Sequence, residues 1–197
     1  MPTDTELIQK IDAILPQTQC QACGYKDCLA YATAVTKHGA ETNLCQPGGT
    51  SVHQNISQLA SKTSPAPQHK QPLFALKIES ARCIGCTKCL NACPVDAIFG
   101  TQGQLHDIIT DRCTGCNLCI EPCPTDCIIP SNQPINHEAT SAELNRQRYL
   151  NKQKRLANEK KRKKSQHQLA KRSRTSYAKT QSARLEYIQD ILETEND

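Results

Sequence analysis

Apolar residues recur at helical spacing only in short stretches of this chain. Leu7, Ile11, Ile14 and Leu15 share one face of about three turns, opened by the capping-box pattern Thr3-x-x-Glu6 and stopped by Pro16. The stretch LAYATAVTKHGA is compatible with a second helix, and Val52, Ile56 and Leu59 predict a third, which closes a first domain at residues 1–62. SKTSPAPQHKQP has the composition of an exposed linker, assigned to residues 63–72. LFALKIE and QLHDIIT read as strands, expected to pair with the short apolar runs AIF and CIIP respectively. Residues 73–132 should therefore hold two small antiparallel hairpins and two short helices. Residues 135–197 contain neither Gly nor Pro, and Thr140-x-x-Glu143 is another capping-box pattern, so the tail, residues 133–197, should be mostly helical. Its Leu144, Leu150, Leu156 and Leu169 are too sparse for a heptad seam, and KRLANEKKRKKSQHQLAKRSR is polar on every face, the pattern of a solvated or partly disordered helix. The predicted class is α+β: a small helical domain, a compact two-hairpin module and a basic tail.

An internal repeat sharpens the middle domain. Residues 82–98 superimpose on residues 112–128 at a constant offset of 30 without a gap, matching Gly85 to Gly115, Pro94 to Pro124 and Asp96 to Asp126. Duplication of one supersecondary unit is the natural reading.

Composition limits the core. With no Trp, two Phe and five Tyr among 197 residues, a large aromatic-aliphatic interior cannot be built. Such small domains need staples, and the thirteen cysteines are the candidates. The N-terminal MPTDTELIQKID lacks an apolar signal region and no stretch approaches a membrane span, so thiols in a reducing cytosol are expected rather than disulfides. Charge is divided sharply. Residues 1–137 carry nine Lys and Arg against eleven Asp and Glu, residues 138–184 fifteen against three, and residues 185–197 none against five.

Twelve of the cysteines form three quartets. Two read Cys-x2-Cys-x2-Cys-x3-Cys-Pro, at Cys83, Cys86, Cys89, Cys93 and at Cys113, Cys116, Cys119, Cys123. This is the ligand spacing of two-cluster [4Fe-4S] ferredoxins, in which three thiolates on one loop grip a cluster and the fourth reaches its neighbour. The sets are therefore Cys83, Cys86, Cys89 with Cys123, and Cys113, Cys116, Cys119 with Cys93. The thirteenth cysteine, Cys127, occupies the place of Ala97 in the repeat and reads as a small packing residue, with a redox or regulatory thiol as the alternative. The third quartet, Cys20, Cys23, Cys28 and Cys45, has Gly24 beside it to let the backbone approach inorganic atoms; its spacing suits either an iron-sulfur cluster or structural zinc. Metal binding should also be folding for residues 73–130.

With all three quartets in view, the order of parts resembles the B subunit of the Rnf electron-transport complex, the ion-translocating oxidoreductase complex. The resemblance covers roughly residues 6–130 and rests on IDAILPQTQCQACGYKDC with the later CQPGG, on ARCIGCTKCLNACPVDAI, and on DRCTGCNLCIEPCPTDCI with its extra cysteine. It implies that Cys20, Cys23, Cys28 and Cys45 hold a [4Fe-4S] cluster, three clusters in all, and that the chain relays electrons between a soluble donor or flavin-bearing subunit and membrane-embedded partners. Two departures stand out. This chain starts almost at its first helix, where the family has an apolar anchor, so a cytoplasmic location or a peripheral one at the inner membrane's cytoplasmic face is expected. Gln21 stands where the family has Gly, and Lys26-Asp27 where it has Pro-Gly, so the loop around the first quartet is expected to be less tightly wound.

The predicted function is a one-electron relay between a redox donor and acceptor, either as an Rnf-B-like subunit with Rnf-like membrane partners or as a soluble homologue serving other acceptors, with no small-molecule substrate. No nucleophile elbow, phosphate loop or histidine metal spacing is present, so no catalytic residue is assigned. Asp96, Glu121 and Asp126 read as solvated turn residues, with an acidic docking surface as the alternative, and Tyr25 as packing against the first site. A second reading has residues 146–184 hold nucleic acid by its phosphates; Glu186, Asp190, Glu193 and Glu195 would weaken it by folding back on the basic stretch.

Overall fold

The computed structural model describes residues 3–67, 74–135 and 141–194, and side chains up to residue 188 apart from residue 187. Residues 68–72 of the expected linker and the predicted cap at Thr140 lie outside the described residues, as do the side chains of Asp190, Glu193 and Glu195. The chain divides into two compact units, Met1–Lys152 and Gln153–Asp197.

Helix α1 (Asp4–Ile14) begins with a complete capping box: the Thr3 hydroxyl accepts from the Glu6 amide, and the Glu6 carboxylate accepts from the Thr3 amide. Helix α2 (Cys28–Lys37) is capped by Asp27, whose carboxylate accepts from the Ala30 amide at 2.7 Å. Lys26-Asp27 thus starts a helix where a Pro-Gly would have turned the chain. Helix α3 (Gly49–Ala60) packs Ile56 against Ile11 and Leu15 of the first helical region and Tyr31, Ala32 and Val35 of α2. Ile8 joins this core at its edge alongside Leu7, a position the sequence pattern did not single out.

The middle module is built by exchange between its two halves. Strand β1 (Phe74–Ile78) pairs antiparallel with β4 (Ile128–Pro134), and β2 (Ile98–Phe99) with β3 (Asp107–Ile108). The expected partners were the reverse: LFALKIE meets CIIP, and QLHDIIT meets AIF. AIF and QLHDIIT are joined by a short loop whose closure costs little entropy, which leaves β1 to pair with the last strand. The same exchange appears in two hydrogen bonds related by the repeat, Glu79 N–H to the Cys127 carbonyl and Ile109 N–H to the Ala97 carbonyl, both 2.8 Å.

The duplication persists in the backbone. Thr87 and Asn117 both have φ 61°, and Asp96 and Asp126 both φ 49°. It fails at one place: α4 (Lys88–Ala92) is helical, whereas residues 118–122 form only turns. Pro122 stands where Ala92 closes α4; it cannot bond the Leu118 carbonyl and disfavours the helical conformation at Glu121, and the Cys123 amide donates to the Ile120 carbonyl, three residues back. One short helix therefore replaces the expected two among the described residues.

Helix α5 (Ala142–Thr194) fulfils the expectation of a helical tail, with Leu156, Leu169 and Leu185 exposed. Among the described residues no helix is long and apolar enough to cross a membrane.

Two glycines differ in what constrains them. Gly85 has φ +69°, and a Cβ there would lie 2.6 Å from the Gln104 carbonyl oxygen; Gly24 has φ +82° with open space around it among the described residues. Gly24→Ala therefore carries the left-handed strain alone, about 1 kcal/mol, and Gly85→Ala adds a backbone clash. Thermal melts of the iron-loaded variants should rank wild type above Gly24→Ala and Gly24→Ala above Gly85→Ala.

Candidate metal centres

All thirteen cysteines are free thiols. In the middle module Cys89, Cys93, Cys113, Cys119, Cys123 and Cys127 are part of the buried core, packed with Leu76, Val95, Ile98, Ile108 and Ile128. Sulfur replaces the aromatic bulk that the composition lacks.

The thiols fall into groups through their electrostatics. Burial, opposed by the Leu90 amide, pushes Cys89 up to about 11, with Cys86 and Cys123 adding to the rise. Burial likewise pushes Cys116 up to about 12 against the Leu118 amide, and here the neighbouring charges are Cys93 and Cys113. Cys119 is raised by burial and then by Cys116, Cys93 and Cys113. Across the repeat, Cys123 thus bears on Cys89, and Cys93 on Cys116 and Cys119. Burial also acts to raise Cys123, but amide hydrogen bonds from Thr125 and Cys127 outweigh it and leave this thiol below its usual value.

The N-terminal quartet closes around one space. Cys20, Cys23, Cys28 and Cys45 line one small enclosed space together with Leu15, Gln19, Tyr31 and Pro47. Gln21 adopts φ 60°, and the Gly24 amide donates to its carbonyl at 2.9 Å, so the loop is a tight turn without the family's glycine, contrary to the looser winding expected. Burial pushes Cys28 and Cys45 each up to about 12, against amide donors from Gln19 and Gly48. Tyr25 packs on Tyr31 with ring centroids 5.5 Å apart, and both join the partly sulfur-bearing core.

The donor set fits a [4Fe-4S] cluster at each group: four soft thiols, with backbone amides aimed at the sulfurs. Among the described residues no three or more His, Cys, Asp or Glu side chains are gathered as a single metal ion would need.

A polar chain that the sequence pattern missed supports the first quartet. Gln17 and Gln19 are both buried; the Gln17 amide group donates to the Asp12 carboxylate at 3.0 Å, Gln19 donates to Gln17 at 2.7 Å, and the Gln19 side-chain oxygen accepts from the Cys28 amide at 2.9 Å. Asp12 is also buried and is paired with Arg146 of α5. Three residues along, the Tyr149 hydroxyl donates to Asp27 at 3.2 Å. Lys152, buried, donates to the carbonyls of Leu90, Asn91 and Cys93 at the end of α4 and lies 3.7 Å from Asp96. In sequence, Arg146 and Lys152 are indistinguishable by composition from the rest of the basic tail. Their spacing of six residues, with Tyr149 between, is the available signal, since it sets all three on one side of a helix.

Two further residues touch sulfur. His106 is buried with Nδ1 3.4 Å from Cys89 Sγ, and Cys127 Sγ lies 3.4 Å from Cys123 Sγ. No spacing rule marks His106.

Comparison with known proteins agrees with this geometry. Residues 76–129 match the family described as 4Fe-4S dicluster domain, and residues 15–47 the one described as putative Fe-S cluster. The B subunit of the ion-translocating oxidoreductase complex from Salmonella typhimurium is 46% identical over 114 residues, 55% of this chain and 59% of the relative. Over its cysteine-bearing residues the chain is similar to that B subunit. The corresponding protein of Escherichia fergusonii is 47% identical over 113 residues, and that of Shewanella loihica 50% over 112 residues, 53% of this chain and 57% of the relative. The chain spans less than three-fifths of the length of these relatives. The class of cofactor is iron-sulfur.

Arg146→Ala would leave the Asp12 carboxylate buried without its cation. We expect a loss of about 2 kcal/mol in urea unfolding of the iron-loaded protein, and a smaller loss when Asp12→Asn is introduced with it.

Proposed function

We propose that this chain is an electron relay with three [4Fe-4S] clusters, held by Cys20, Cys23, Cys28 and Cys45, by Cys83, Cys86, Cys89 and Cys123, and by Cys113, Cys116, Cys119 and Cys93. The observation that supports this reading is that Cys123 bears electrostatically on Cys89, and Cys93 on Cys116 and Cys119, across the repeat, while the N-terminal four line one small space. A cluster ligated by four thiolates supplies a one-electron couple of low potential. The chain's own residues do the rest: buried thiols exclude water from the sites, backbone amides orient on sulfur, and the first turns of α5 tie the N-terminal helices to α4 through Arg146, Tyr149 and Lys152. Residues 1–62 and 73–132 act as the two cluster-bearing domains.

The hydrogen bond from the Thr114 hydroxyl to the Thr18 carbonyl, 3.3 Å and buried, supports a relay order. Thr114 lies between Cys113 and Cys116, and Thr18 precedes Cys20, so the N-terminal quartet neighbours the second motif rather than the first. Electrons would then pass between the N-terminal cluster and the one held by Cys83, Cys86, Cys89 and Cys123 by way of the third. Its relatives are named as B subunits of an ion-translocating oxidoreductase complex, and on this reading the chain likewise serves partner subunits of such a complex.

Iron, acid-labile sulfide and zinc per chain, measured on anaerobically purified protein, test the reading. We expect about twelve iron and twelve sulfide. About eight iron with one zinc would leave a two-cluster relay on a structural zinc domain and remove the N-terminal cysteines from the electron path.

A further inference from the structure

We propose that His106 and Cys127 are positioning residues that hydrogen-bond to ligand sulfurs of one cluster, that of Cys83, Cys86, Cys89 and Cys123, and raise its midpoint potential. The inference rests on the relay reading above and adds to it which side chains tune which cluster.

His106 is 3% exposed, with Nδ1 3.4 Å from Cys89 Sγ. A thiolate bound to iron has no proton to give, so the contact is a hydrogen bond only with the proton on Nδ1. The other ring nitrogen, Nε2, is buried and makes no hydrogen bond among the described residues. A ring kept for packing alone would be better apolar, since that orphaned nitrogen is a cost with no local return. The chain also makes room for the imidazole: at Gly100, φ +137°, any Cβ would collide with His106 Cδ2.

Cys127 stands where the repeat has Ala97. Ala97 offers Cys93 its amide, at 3.2 Å, and has no side-chain donor. Cys127 brings a thiol 3.4 Å from Cys123 Sγ, and the Thr125 hydroxyl lies 3.7 Å from the same sulfur. Cys123 and Cys89 belong to the same group, so both extra donors converge on one cluster. Reduction adds one electron and makes no bond; the added negative charge is shared by the sulfurs, where donors stabilise it.

The test is an EPR-monitored redox titration of the full chain, anaerobic, for wild type, Cys127→Ala, Cys127→Ser, His106→Leu and His106→Asn, with iron and sulfide measured on each. Cys127→Ala and His106→Leu should each move one midpoint potential to more negative values, by the equivalent of a threefold to tenfold change in the reduced-to-oxidised ratio, tenfold being about 59 mV for one electron. The remaining midpoints should stay in place, and Cys127→Ser and His106→Asn, which keep a donor, should recover most of the shift. Unchanged midpoints at full iron content, or equal shifts of every cluster, overturn the proposal. Loss of the cluster in both Cys127→Ala and His106→Leu would make the two residues structural and overturn it as well. A wild-type protein without reducible clusters would instead sink the relay reading itself.

Discussion

The exchange between the two halves of the duplicated module is the constraint from which the rest of that module follows. Each half places three cysteines on one loop and a fourth just before the strand that pairs with the other half. Residues after Cys123 then run beside β1, and the amides of Glu79 and Ile109 reach the carbonyls of Cys127 and Ala97 in a matched pair. Arg82, at the head of the first motif, donates to the Thr125 carbonyl at the foot of the second. Neither half has a core of its own, because the buried residues, Ala75, Leu76, Val95, Ile98, Ile108 and Ile128 with six cysteines, are drawn from both. Such a module should form cooperatively or not at all.

The N-terminal site meets a similar demand by other means. Its four cysteines come from one stretch and need no exchange, yet its loop buries the polar side chains of Gln17 and Gln19. Burial of polar groups is tolerated only when they are satisfied. The chain from Asp12 through Gln17 and Gln19 to the Cys28 amide does this, and Arg146 balances the carboxylate at its end. The first turns of α5 therefore belong to the compact unit Met1–Lys152, and the separate helical unit begins at Gln153.

What could be read in the sequence divides along the same physical line. Constant offsets and capping boxes are local patterns, so the repeat and the helix start at Thr3 were legible. Strand partners were not, because a repeat read half by half hides the short-loop hairpin of β2 with β3 that spans the two halves and leaves β1 to pair with β4. Pro122 was legible in hindsight as the residue that denies the second motif its helix. Asp12, Gln17 and Gln19 carry no mark of burial in a one-dimensional pattern: Gln17 and Gln19 find partners only once the loop folds back on itself, and Asp12 finds Arg146 more than a hundred residues away. Arg146 and Lys152 disappeared into a count of fifteen basic residues, although their energetic roles differ from those of the exposed ones beyond residue 152.

The thiols themselves carry a conflict that only a metal resolves. Burial pushes Cys28, Cys45 and Cys116 up to about 12, which favours the neutral thiol, while backbone amides from Gln19, Gly48 and Leu118 point at the same sulfurs and favour the thiolate. Donors arranged for an anion in surroundings that penalise an anion make sense when a cation supplies the compensating charge from the other side of the sulfur. A chain with two Phe and no Trp has little apolar area to offset that penalty by packing alone. Three soft thiols per loop with amide donors on their sulfurs are a donor set that suits an iron-sulfur cofactor better than it suits an apolar core.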